Sequence, residues 1–165
     1  MANQINQNTT MRKLKIVFVH QNFPGQFINI APAFARELQA EVKFISLSDN
    51  EQKIELPGVE LETISRHRQT SEKIHHYVQT IEESVLNGQA VVKKLIELSK
   101  KGFNPDILIA HAGYGFSSYV KDIYPDCKTI AYAEWCFSRK NLLKLMPSLS
   151  LDNLMKAETQ NLLIF

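Results

Sequence analysis

The sequence predicts an α/β fold, a Rossmann-like doubly wound parallel sheet with helices on both faces. Three observations carry that expectation. Apolar runs alternate with helical patterns in the order strand, helix, strand, strand, helix, strand, helix, strand, helix. The first run, Leu14 with Ile16–Val19, is apolar at consecutive positions, as suits a central strand covered on both sides. Polar clusters follow three separate runs: His20 to Gln26, His111 to Gly115 and Glu134 to Ser138. In a parallel sheet these strand ends share one edge, where α/β proteins bind ligands.

Taken along the chain, the first strand is expected at about Leu14–Val19. It ends abruptly at His20 and a turn with Pro24 and Gly25. A helix from about Gln26 to Gln39 follows, with Phe27, Ile30, Ala31, Phe34 and Leu38 on one face. Pro32 lies within its first two turns and predicts a slight irregularity there. Val42–Leu47 and Val59–Ile64 are the second and third strands, separated by Ser48-Asp49-Asn50 and by Pro57-Gly58. A long helix is expected from Ile74 to Lys100, its stripe formed by Ile74, Val78, Ile81, Val85, Gly88, Val92 and Leu95. Gly88 costs about 1 kcal/mol of helix propensity against alanine. Close packing on the sheet is its expected use. Lys100, Lys101 and Gly102 end the helix, and Pro105 prevents its restart. Ile107–Ala110, a short helix at Phe116–Ile123, a buried strand at Thr129–Ala133 and a helix from Leu151 to Phe165 complete the pattern.

Composition narrows the class. At 165 residues, 44% apolar and 22% charged, the chain fits one globular domain, expected over residues 13–165 behind a polar, disordered tail of residues 1–12. A net charge of +2 does not point to nucleic acid. No apolar run approaches the ~20 residues of a membrane span, and the N-terminus lacks the apolar core of a secretory signal. The expected location is the cytoplasm, or the periphery of a membrane. Cys127 and Cys136 form no CxxC pair, and adjacent His75 and His76 diverge by about 100° on a helix, so no metal site is expected.

Among the strand-end residues, Gly25 lacks a Cβ and could let a phosphate approach the backbone N–H groups; it could equally be a simple turn residue. His20, Asn22, Gln26 and Gly113 join it as candidate substrate contacts on the same topological argument. Glu134 could bind acceptor hydroxyls, cap Ser138 or pair with Arg139. The basic run Arg66, His67, Arg68 and Lys73 reads as a solvated loop or as a site for an acidic acceptor.

HQNFPGQF directly after the first strand, then GVELETI, then LNGQAVVKKLIELSKKGFNPDILIAHAGYGFSSYVKDIYPD and AYAEW, resemble the N-terminal domain of family 4 glycosyltransferases. The resemblance covers Met11 to Phe137 and, more weakly, the final helix. It implies the N-terminal, acceptor-side half of a two-domain GT-B enzyme that transfers a sugar from a nucleotide donor with retention. It implies no cofactor beyond that nucleotide sugar, which is a co-substrate. His111 then matches the family's histidine at the sugar-transfer site and is the candidate catalytic residue; a lone histidine at a strand end could equally be a satisfied structural one. Where relatives often carry an acidic residue after the second glycine, this chain has Phe116, so a role needing that carboxylate is lost or displaced. The expected partners are an acceptor sugar or glycoconjugate, together with a missing donor-binding domain or a second copy joined through the C-terminal helix. The alternative expectation is a non-catalytic binding or oligomerising protein that keeps the fold.

Overall fold

The structure, a computed structural model, describes residues 12–47, 54–134 and 138–161. Five parallel strands stand in the order β3-β2-β1-β4-β5. They are β1 (Lys15–His20), β2 (Glu41–Leu47), β3 (Val59–Ile64), β4 (Ile107–His111) and β5 (Lys128–Tyr132). The helices are α1 (Ile30–Glu37), α2 (Gln79–Lys100), α3 (Val120–Ile123), α4 (Arg139–Leu145) and α5 (Leu151–Gln160).

β1 shows why a consecutive apolar run was needed. Successive side chains of a strand point to opposite faces, so a strand covered on both sides has no polar register. Ile16 and Phe18 enter a core with Phe27, Ala31, Val42 and Phe44, on the α1 side. Val17 and Val19 enter a second core with Val91, Leu95, Leu98, Phe116 and Val120, on the α2 and α3 side. The sheet is therefore sandwiched, in agreement with the α/β, Rossmann-like expectation.

Four departures are informative. The first helix is split: a 3-10 turn covers Gly25–Phe27, and α1 starts at Ile30, with Pro32 in its first turn, where a missing N–H is tolerated. Of its expected inner face, Phe27 and Ala31 are buried, whereas Ile30 and Leu38 are exposed. The long helix starts at Gln79 rather than Ile74, and only Gly88 and Leu95 of the expected stripe are among its buried residues. Val85 is exposed, while Ser84, Asn87, Gly88, Val91, Leu95 and Leu98 are buried. Two polar residues on the inner face disguised it, because hydrophobic periodicity registers only apolar positions.

Gly88 also packs elsewhere than expected. A Cβ there would lie 2.8 Å from the Gly115 carbonyl oxygen and 2.9 Å from the Tyr119 ring, so it meets the loop after β4 and not the sheet. Lastly, β5 is not a buried strand. It is an edge, with Ile130 half exposed. Cys127 just before it is buried; Cys136, Trp135 and Phe137 lie outside the described residues, as do Met1–Thr10, the Ser48-Asp49-Asn50 turn and Leu162–Phe165.

α4 had no counterpart in the sequence reading. Ser138 Oγ caps it by accepting the Asn141 N–H at 3.2 Å, and Ser150 caps α5 through the Asn153 N–H at 3.3 Å. α5 docks on the entry to α2. The Tyr77 hydroxyl donates to Asp152 at 2.7 Å, and Gln160 donates to Thr80 Oγ1 at 3.2 Å. His75 and His76 precede α2 and stack ring on ring at 4.7 Å instead of diverging on a helix.

Candidate functional site

Strand register assembles the site. β1 and β4 are adjacent and parallel, with Val19 beside Ala110, so their next residues, His20 and His111, come level. Both fall on the same face of the sheet, because each is two residues beyond a residue of the α1-side core, Phe18 and Ile109. Their rings meet edge to face, with centroids 5.0 Å apart. β4 pairs with β5 so that His111 lies beside Tyr132, and Glu134 follows two residues later. Glu134 Oε2 sits 3.1 Å from His111 Nε2. Gln26, in the 3-10 turn after β1, lies near enough to His20 and Glu134 to favour the charged form of each. Thus His20, Gln26, His111 and Glu134 converge at the C-terminal edge of the sheet. Asn22 joins them through its backbone, not its side chain.

His20 is buried, and the Asn22 backbone offers its Nδ1 both an N–H at 2.9 Å and a carbonyl oxygen at 2.8 Å. Either tautomer is thereby satisfied. Burial is the main reason its pKa lies below the ordinary 6.5, and His111 pushes it the same way against the pull of Asn22, Gln26 and Glu134. The stability it confers while neutral is complete above that ordinary value and is lost as pH falls through the lowered one.

His111 Nδ1 faces the Ala112 carbonyl oxygen at 2.9 Å, and its Nε2 faces Glu134. Both partners offer an acceptor, so the tautomer with hydrogen on Nε2 is the one that serves Glu134. The bond from His111 is the chief force holding the Glu134 carboxyl below its ordinary 4.5; slight desolvation opposes it and Gln26 assists. Glu134 neither caps Ser138 nor sits isolated. Its side chain remains 42% exposed, so an incoming hydroxyl can reach it.

Gly25 has a different use from the expected one. Its φ is +51°, and a Cβ there would lie 2.5 Å from His20 Nδ1. The side without a Cβ is occupied by the His20 ring. Gly25→Val therefore cannot leave the loop intact. Strain of about 1–2 kcal/mol for a left-handed β-branched residue adds to displacement of the ring. Loss of the His20–His111 ring contact, read from nuclear Overhauser effects, is the expected result; an unchanged contact would return Gly25 to a mere turn residue.

Sequence reasoning missed Tyr114 and Tyr132, whose rings flank His111 at 5.0 and 6.3 Å. Gly113 lies in the same turn, between His111 and Tyr114, with φ +85°. Strand pairing could have found Tyr132; nothing local marks Tyr114. Phe116, in place of an acidic residue, is buried in the core. The basic loop is not simply solvated. Arg66 pairs with Glu83 and Arg68 with Glu82, each at 2.7 Å. Among the described residues no group of three metal-ligating side chains occurs, and no helix is long and apolar enough to cross a membrane. A cavity of about 560 Å³ lies at the opposite edge of the sheet, lined by Leu14, Asp106, Ile107 and Lys128. Its lining includes no histidine and no glutamate, so none of the side chains gathered at the C-terminal edge reach it.

Residues 39–164 match the glycosyl transferase family 4 group. No curated protein sequence matches the chain. Among solved structures, it resembles CalG4, the calicheamicin glycosyltransferase, with TM-score 0.52 and 14% identity over 85% of this chain and 38% of that one. It also resembles Os79 from O. sativa, solved with U2F and trichothecene, with TM-score 0.52 and 10% identity over 89% of this chain and 44% of that one. The chain thus spans about two fifths of the length of these GT-B glycosyltransferases.

Proposed function

Since the chain belongs to the glycosyl transferase family 4 group, we propose that it is the N-terminal, acceptor-binding domain of a retaining, nucleotide-sugar-dependent glycosyltransferase, inactive without its donor-binding half. The observation that carries this reading is the pair His111 and Glu134, joined at 3.1 Å at the strand ends with Glu134 still accessible. A carboxylate held ionised accepts a hydrogen bond from an acceptor hydroxyl. The His111 Nε2–H that faces Glu134 can turn instead to an oxygen of the donor sugar. In transfer, the bond from the anomeric carbon to the diphosphate oxygen breaks, one to the acceptor oxygen forms, and the acceptor's hydroxyl proton passes to the departing diphosphate oxygen. His20, Asn22, Gln26 and Gly113 shape the wall on which the acceptor rests. Os79 is seen with U2F and trichothecene, a pairing that supports a cleft for two ligands in this architecture.

The partner is the donor-binding half of the enzyme or a second copy. Leu145, Met146, Leu151 and Met155 on α4, α5 and their flanks are exposed and give such a partner an apolar surface.

Holding donor and acceptor together is worth about 7–11 kcal/mol in favourable cases. Half a cleft forgoes that contribution. The pure chain, incubated with a panel of nucleotide sugars and candidate acceptor glycosides, should release no nucleotide. Acceptors should still shift the ring signals of His20 and His111 in NMR spectra, and Glu134→Gln should weaken that response. Turnover by the chain alone would overturn its inactivity, and silence at both histidines across the panel would overturn the acceptor site.

A further inference from the structure

Asn87 is 1% exposed and sits in the middle of α2, a position where an amide must find partners. It has two, on different loops. Its Oδ1 accepts the Arg66 Nε–H at 2.7 Å, from the loop after β3. Its Nδ2 donates to the Tyr114 carbonyl oxygen at 2.9 Å, in the loop after β4. A guanidinium that only donates and a carbonyl that only accepts leave the amide one orientation. Arg66 is itself fixed by Glu83 at 2.7 Å.

The loop after β4 is pressed onto the same turn of α2. A Cβ on Gly88 would meet the Gly115 carbonyl oxygen, and one on Gly115 would overlap the Ser84 carbonyl. Contact between backbones leaves little room for the loop to slide. The bond from Asn87 then sets its position along the helix. Tyr114, whose carbonyl Asn87 holds, lays its ring against His111 at 5.0 Å.

We propose that Asn87 is a positioning residue for His111. It acts through the Tyr114 carbonyl and sets the angle at which the imidazole meets Glu134. This deepens the reading of His111 as the acting residue and rests on it. It also makes the Arg66 loop a neighbour in the same polar link, although the donation to Tyr114 is the part that reaches His111.

Asn87→Asp separates the two halves of the link. The carboxylate still accepts from Arg66, but it cannot donate to Tyr114, and it sets oxygen against oxygen there. The expected result, in the pure chain without sugar, is a shift of the His111 ring nitrogen signals and of the Tyr114 and Gly115 amides. The hydrogen-bonded proton between His111 and Glu134 should be lost. Arg66→Met, which keeps the donation to Tyr114, should leave the His111 ring signals in place. Asn87→Ala removes the donor without adding charge and is read in the same way if the aspartate variant does not fold. A purely structural Asn87 would lower the melting temperature yet leave the His111 ring signals of the folded protein unchanged, and that result overturns the proposal. The measurement uses no acceptor, so its failure is distinct from failure of the acceptor site, which the sugar titration of the wild-type chain decides.

Discussion

Phe18→Ala should lower stability by about 3–5 kcal/mol, the usual cost of emptying an aromatic site in a core. Phe18 is fully buried in the central strand, and its ring lies 5.1 Å from Phe27, 5.8 Å from Phe34 and 6.4 Å from Phe44. These partners come from the 3-10 turn, α1 and β2, so the cavity cannot be closed by moving one element. For a chain of this size, roughly 2–4 °C of melting temperature accompanies each kcal/mol. A drop of about 6–20 °C is expected in a thermal melt followed by circular dichroism. A change under a few degrees would mean that the aromatic cluster collapses onto the gap and is not the keystone of the α1-side core.

Gly115→Ala should be nearly as damaging, although it adds one methyl group. Its φ is +72°, and the new Cβ would overlap the Ser84 carbonyl. Left-handed strain costs about 1–2 kcal/mol, and overpacking against immobile backbone typically costs ~1–3 kcal/mol. A loss of about 2–5 kcal/mol by urea denaturation is the expected outcome. The same substitution at Gly102, whose Cβ would meet nothing within 4 Å, retains the φ penalty alone and serves as the control. Equal losses at both positions would show that the contact between α2 and the loop after β4 contributes nothing beyond backbone strain.

The strands were legible because their signals are local. Consecutive apolar residues at Ile16–Val19 have one reading in a sheet covered on both faces, and β1 occupies the centre. The meeting of His20, His111 and Glu134 followed from the same source, since parallel strands place their C-terminal ends on one edge. Periodicity failed where small or polar residues take buried places. Ser84 and Asn87 share the buried face of α2 with Leu86, Ala90, Val91, Leu95 and Leu98, and neither is apolar enough to mark it. It failed again at β5, whose apolar residues read as buried while the strand lies at the sheet edge.

Gly25 draws the boundary between the two kinds of information. A Pro-Gly turn after a strand is visible in the letters alone, and so is the freedom of glycine to take a positive φ. That its missing side chain makes room for the His20 ring depends on a side chain five positions earlier turning back over the loop. Arg66 is a second case: charge composition places it in a basic run, whereas packing gives it Glu83 and Asn87 as partners on a helix more than fifteen residues away. Chain-local chemistry was enough for the five strands and the edge that carries the imidazoles, though not for α4 or the exposed position of β5. The contacts that hold those imidazoles in place arise between segments distant in sequence, where close approach and complementary donors exist only once the chain has folded.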